Sequence, residues 1–188
     1  MPRPLRAVHP GAVYHVFTRG NRKGAIVFDD LDRRRFLGIV ADVVTRRRWN
    51  CIGYCLMTNH YHLLVETPDD DLSAGMHALN GHYAKAFNRR HGVSGHLFEK
   101  RFSAVPAESN WHLLELCRYV VLNPVDAGLC AHPREWPWSS YRACVGLARP
   151  EPFLDVERLL SLFGRDRARA RRAFELFVED GIDRVRAA

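Results

Sequence analysis

Two histidines one residue apart, His60 and His62, sit in HYHLLVE, a run whose alternation is that of a strand. Alternation sends both imidazoles to one face, with Leu64 and Glu66 following, and two ring nitrogens on one face make half of a metal site. A pair of this kind standing alone is more often two ordinary core or surface histidines, so a third ligand decides its meaning. Glu66 on the same strand, Cys51 or Cys55 on the strand before it, or a polar side chain brought by a helix could supply one. The cysteines would point to structural zinc. They share the histidines' face if the intervening turn has two residues and take the opposite face if it has three.

The helical source is Asn123, which stands four residues after Tyr119, so the two stack on one flank of a helix with Leu113, Leu116, Cys117 and Val120 as its apolar stripe. His112 shares that flank. A tyrosine so placed is ordinarily a packing residue with its hydroxyl in water, and Asn123 before Pro124 is ordinarily a helix C-terminal residue. Pro124 is expected to stop the helix, because it disfavours helical backbone at Asn123.

The elements that must position these groups follow from periodicity. AVYHVFT alternates as a strand, with Val13, His15 and Phe17 against Tyr14 and Val16. Asp29 and Asp30 open a helix carrying Phe36, Leu37, Val40, Val43 and Val44, which runs to the arginines at 46 to 48. CIGYCLM and HYHLLVE read as a hairpin turning near Thr58 and Asn59. Leu72, Met76, Leu79, Tyr83 and Phe87 mark a second helix over about residues 72 to 90, broken by Gly92 and Gly95. HLFEKRFSAV alternates as a further strand, and Ser109 or Asn110 opens the helix of Tyr119. The order strand, helix, strand, strand, helix, strand predicts an α+β, ferredoxin-like split βαβ fold, an antiparallel sheet with helices on one face, followed by a C-terminal helical extension. Three segments are expected: a catalytic segment over residues 8 to 128, a connector rich in proline and tryptophan over 129 to 153, and a basic helical extension over 154 to 188.

Twenty-eight Lys and Arg against twenty-one Asp and Glu, a net charge of +7, favour a polyanionic partner. No run approaches the roughly 18 apolar residues of a membrane helix, and MPRPLRAVHPG lacks the apolar core of a secretory signal, so a cytoplasmic protein is expected. Five scattered cysteines suggest reduced core residues rather than a disulfide framework.

Four blocks, YHVFTRGNRK, GYCLMTNHYHLLVETP, GHLFEKRFSA and LLELCRYVVLNPVDAG, together resemble the IS200-like, single-tyrosine transposases of the His-hydrophobe-His nuclease class. They are nearest to the REP-associated branch, bacterial proteins linked to repetitive extragenic palindromes. The resemblance spans about residues 8 to 146 with its blocks in order. It implies that His60, His62 and Asn123 hold a divalent ion, Mg²⁺ or Mn²⁺, and that Tyr119 is the nucleophile. It further implies binding of single-stranded DNA hairpins, with nicking and rejoining through a 5′-phosphotyrosine, in a bacterial protein that meets the nucleoid while acting; a homodimer is left open. Relatives often read Gln-Gly where this chain has Glu99 and Lys100, and Arg where it has Asp126, differences that bear on DNA contacts rather than on the four site residues. Arg19, Arg22, Lys100, Arg101, Arg165, Arg169 and Arg172 are the expected DNA contacts, and the arginines at 33 to 35 and 46 to 48 are further candidates. The alternatives are a nucleic-acid-binding protein without catalysis and a structural zinc protein.

Overall fold

In a computed structural model, residues 10–187 of the protein are described, the side chains of 183–187 excepted. Residues 8 and 9 of the expected catalytic segment, most of the opening stretch and residue 188 lie outside the described residues. The elements run β1 (Val13–Arg19), α1 (Asp30–Arg47), β2 (Asn50–Leu56), β3 (His60–Glu66), α2 (Leu72–His91), β4 (Ser103–Pro106), α3 (Asn110–Asp126), α4 (Tyr141–Cys144), α5 (Val156–Leu160) and α6 (Arg167–Ala187). The sheet order is β2-β3-β1-β4 with every pairing antiparallel, which is the expected split βαβ arrangement.

Helices α1 and α2 pack on each other over one face of the sheet, where Tyr61 meets Phe36 with ring centroids 4.7 Å apart and its hydroxyl donates to Asn80 Oδ1 at 2.6 Å. Local chemistry fixes both helices. The Asp29 carboxylate caps α1 by accepting from Leu31 N and Asp32 N at 3.0 Å, and Arg90 and His91 at the end of α2 bond the buried Asp32. Gly92 ends α2 in the left-handed conformation at φ 64°, a position that favours glycine.

Helix α3 covers the opposite face. Ser109 Oγ caps it by accepting from His112 N at 3.1 Å, and it packs on β2 and β3 through its apolar stripe. Pro124 does not stop it, contrary to the sequence expectation: the helix continues to Asp126 with Asn123 inside it. Proline removes one amide donor near the end of a helix, and the following turn closes through Ala127 N to Asn123 O at 3.0 Å and Leu129 N to Pro124 O at 2.9 Å. The expected long strand of HLFEKRFSAV is shorter as well: only 103–106 pair with β1, and Phe98 makes an isolated bridge to Gly20.

The stretch from 129 to 153 lies along the outer edge of β2. Leu56 N donates to Trp138 O at 2.9 Å and Tyr54 N to Ser140 Oγ at 3.1 Å. Arg33 is held there with its guanidinium 5.4 Å from the rings of both Trp136 and Trp138, so its charge serves the fold. Helix α6 buries Ala170, Phe174, Val178 and Ile182 and packs on α3 and α5. Burial of each large apolar side chain contributes about 1.5–3 kcal/mol, so the extension is part of the core that holds α3. No described helix is long and apolar enough to cross a membrane.

Candidate active site

The register of β1 against β3 pairs Arg19 with His60, Phe17 with His62 and His15 with Leu64, which lines up Arg19, Phe17, His15, His60 and His62 on the face beneath α3. From above, α3 adds Tyr119 and Asn123. The hairpin turn places the first histidine: Gly20 N donates to Asn59 O and Ile26 N to Thr58 O, both at 2.8 Å, and Asn59 Nδ2 donates to Lys23 O at 3.1 Å.

His60 Nδ1 lies 2.7 Å from Asn59 Oδ1, which leaves its Nε2 open. His62 Nδ1 lies 2.8 Å from His15 Nε2, and His62 Nε2 is buried with no hydrogen-bond partner. Asn123 Nδ2 donates to Tyr119 O at 2.9 Å, an orientation that leaves Oδ1 available, and the Asn123 side chain raises the pKa values of both imidazoles against burial. Burial dominates, however. It lowers His60, it lowers His62 well below its usual value with help from His15 and His60, and it brings His15 down to about 4 with a contribution from His112. All three rings are therefore neutral near pH 7, the form that ligates a cation. An orphaned buried nitrogen, a second imidazole nitrogen left open and an amide oxygen suit a divalent ion.

Tyr119 is 46% exposed, and its ring stands edge-on to His15 and His62 at 5.6 Å from each. It opens into a cleft of about 230 Å³ lined by His60, His62, Asn123, Arg19, Glu99 and Lys100, together with parts of β1 and β4. The structure thus brings together His60, His62, Tyr119 and Asn123, and adds Arg19 and Lys100 from the expected DNA contacts. Lys100 and Arg101 also line a larger adjoining groove, which shares Glu99 and Lys100 with the cleft. Arg22 is exposed in the turn after β1. Arg165, Arg169 and Arg172 do not line the cleft, and Arg172 is bonded to Glu175 at 2.7 Å. Arg47 and Arg48 pair with Asp71 and Asp69.

Cys55 shares the face of His62, as a two-residue turn requires, because Met57 N bonds His60 O and closes the hairpin around Thr58 and Asn59. Yet Cys51 and Cys55 are buried, and burial raises both thiols. Among the described residues no group of three or more His, Cys, Asp or Glu converges, so the two cysteines and two histidines do not form a zinc set. Sequence reasoning does not single out His15 or Asn59 as site residues. His15 is visible in the alternation of β1, but which residues of β3 it faces depends on a register that the sequence does not state.

Residues 9–123 match the family model of IS200-like transposases. No curated protein matches the chain. Among solved structures, that of a REP-associated tyrosine transposase bound to a REP hairpin superposes with a TM-score of 0.64 at 20% identity, covering 83% of this chain and 93% of that one. A candidate transposase from Deinococcus radiodurans reaches a TM-score of 0.45 at 16% identity, over 64% of this chain and 95% of that one. The first likeness shows the shared fold.

Proposed function

The chain belongs to the IS200-like transposase family, and from that premise we propose that it binds structured single-stranded DNA, cleaves it with Tyr119 and rejoins it through a 5′-phosphotyrosine. The observation that carries this reading is the closure of α3 on the histidine face, with an exposed phenol and an amide oxygen beside two neutral imidazoles in one cleft.

His60, His62 and Asn123 would hold the ion, and their two nitrogens and one oxygen suit Mn²⁺ at least as well as Mg²⁺. A divalent cation held by them would supply charge withdrawal from a non-bridging phosphate oxygen. Tyr119 Oη attacks phosphorus as its proton leaves, the bond from phosphorus to the 3′ oxygen breaks, and that oxygen takes a proton to become a 3′-hydroxyl. The phosphodiester is conserved in the tyrosyl ester, so another 3′-hydroxyl can attack it and join strands while Tyr119 recovers its proton. A free phenol ionises near pH 10, and Arg19 and Lys100 along the cleft supply positive charge toward the attacking oxygen and the phosphate.

The partner we propose is a DNA hairpin with single-stranded flanks; the REP-associated transposase of like fold is bound to a REP hairpin. The net charge of +7 and the cations of the cleft and adjoining groove support it. Residues 8 to 128 then supply the chemistry, residues 129 to 153 the connection, and residues 154 to 188 a basic support for α3, in a bacterial protein acting at the nucleoid. Incubation of the protein and Mn²⁺ with a single-stranded palindrome labelled 3′ of the scissile bond tests the reading. A labelled protein band on a denaturing gel is expected, and its absence across a library of imperfect palindromes would reject covalent cleavage.

A further inference from the structure

We propose that His15 is a positioning residue that holds the proton of His62 on Nδ1 and aims its Nε2 at the bound cation, an inference that rests on the metal site proposed above. His15 Nε2 and His62 Nδ1 are 2.8 Å apart, and both side chains are buried, at 5% and 4% exposure. Two ring nitrogens at that separation share one proton, so one of them donates and the other accepts. The second nitrogen of His62, Nε2, is buried with no partner. It can bind a cation only through its lone pair. The proton of His62 then sits on Nδ1, and His15 Nε2 is the acceptor.

The same arrangement recurs at His60. Its Nδ1 faces Asn59 Oδ1 at 2.7 Å, an amide oxygen that can only accept, and Asn59 is turned that way by the bond from its Nδ2 to Lys23 O. Both imidazoles therefore present the same nitrogen, Nε2, and each is oriented from behind by a side chain outside the ligand set. His15 has a further effect through packing. Its ring is nearly parallel to that of His62, at 15° and 5.0 Å, with Phe17 stacked beside it at 5.1 Å. Tyr119 abuts both imidazoles edge-on, so the pair forms a fixed wall against the attacking phenol.

His15→Phe keeps a flat ring but removes the acceptor, and His15→Gln restores an acceptor oxygen. Mn²⁺ affinity is measured by titration calorimetry without DNA, and the His62 tautomer is read by ¹⁵N NMR in the metal-free protein. Wild type should show His62 protonated on Nδ1. His15→Phe should lose about 10- to 100-fold in Mn²⁺ affinity and release the tautomer, whereas His15→Gln should recover most of both. Unchanged affinity and an unchanged tautomer in His15→Phe would overturn the inference; should that variant not fold, a His62 proton on Nε2 in wild type would overturn it equally. His62→Ala separates the two readings. If it binds Mn²⁺ as wild type does, the metal assignment fails; if it loses Mn²⁺ while His15→Phe does not, only the role of His15 fails.

Discussion

Tyr61 and His62 are neighbours on β3, and the pleat sends them into opposite environments. Tyr61 is fully buried beneath α1 and α2, its hydroxyl paired with Asn80 and its ring packed on Phe36. His62, equally deep, keeps one nitrogen without a partner beneath α3. An unpaired buried polar group costs about 1–3 kcal/mol, so the open nitrogen of His62 is a cost to the fold. Tyr61 is paired and packed to hold the fold on its side of the sheet, whereas His62 keeps an open ring nitrogen beside His60 and Tyr119 on the other.

The two tyrosines on either side of the sheet give that contrast its largest expected effect. Tyr119→Phe removes one exposed oxygen, so unfolding free energy and hairpin affinity should stay near wild type while adduct formation falls by roughly 10³-fold or more. Tyr61→Phe should do the reverse, lowering stability by about 1 kcal/mol and leaving the cleavage rate alone. Urea unfolding and a single-turnover gel assay on both variants check it. An adduct that survives in Tyr119→Phe would mean that another residue attacks.

A smaller effect comes from the contact between α3 and α6. Arg118, adjacent to Tyr119 but turned inward, bonds Glu115 and Asp180, the latter at 3.1 Å, and lies 4.3 Å over the Phe177 ring. Gly181 lets α6 approach so closely that a Cβ there would meet Arg118 Cδ at 2.6 Å. Arg118→Ala should cost about 1–3 kcal/mol, and it should slow adduct formation more than it weakens hairpin binding, because it loosens the helix that carries the phenol. Equal losses in rate and affinity would show that α6 serves binding instead.

pH separates the faces more finely. Burial holds His15 near 4 and keeps His60 and His62 below the usual 6.5. The unfolded chain takes up protons at these positions as pH falls through about 6.5, whereas the folded, metal-free protein does so only at lower pH. The unfolded state therefore binds more protons in the window from 6.5 down to about 4, and stability declines as pH falls through it. His62→Phe should flatten that decline in urea unfolding, whereas Tyr61→Phe should lower the curve without changing its slope. Identical slopes for His62→Phe and wild type would place the linkage elsewhere.

The buried face is the legible one. The helical spacing of Phe36, Val40, Val43 and of Met76, Leu79, Tyr83 marks both helices and their inward sides, because burial writes periodicity directly into residue type. The histidine face is legible only along the chain. His60 with His62, and Tyr119 with Asn123, can each be placed on a common side of one element, but neither periodicity nor spacing says that α3 crosses to the sheet face opposite α1 and α2. That information lies in pairing register and packing, which also bring His15 to His62. Pro124 misleads for a related reason: a local rule ends the helix at Asn123, while burial of Pro124 and Val125 keeps it wound through Asp126.

The smallest expected effect concerns the cations, and it compares those of the cleft with those of the extension. Sequence reasoning assigns DNA affinity to the arginines of 165 to 172, for which truncation after about residue 150 would be the natural test. The fold makes that test unsuitable, since truncation removes Phe174, Val178 and Ile182 from the core that packs against α3 and α5. Charge removal in place is cleaner. Arg19 and Lys100 line the cleft, whereas Arg165 and Arg169 are exposed on the extension and Arg172 is already bonded to Glu175. Removing the cation from one phosphate should reduce the slope of log affinity against log salt by about 0.9 for a duplex stem and about 0.7 for a single strand. Arg19→Gln with Lys100→Gln should therefore flatten the slope by the single-strand amount for each cation removed and also slow adduct formation. Arg165→Gln with Arg169→Gln should flatten it with no change in the rate measured at saturating DNA. If the second pair leaves the salt slope at its wild-type value, the extension does not touch DNA, and its contribution is the support it gives to α3.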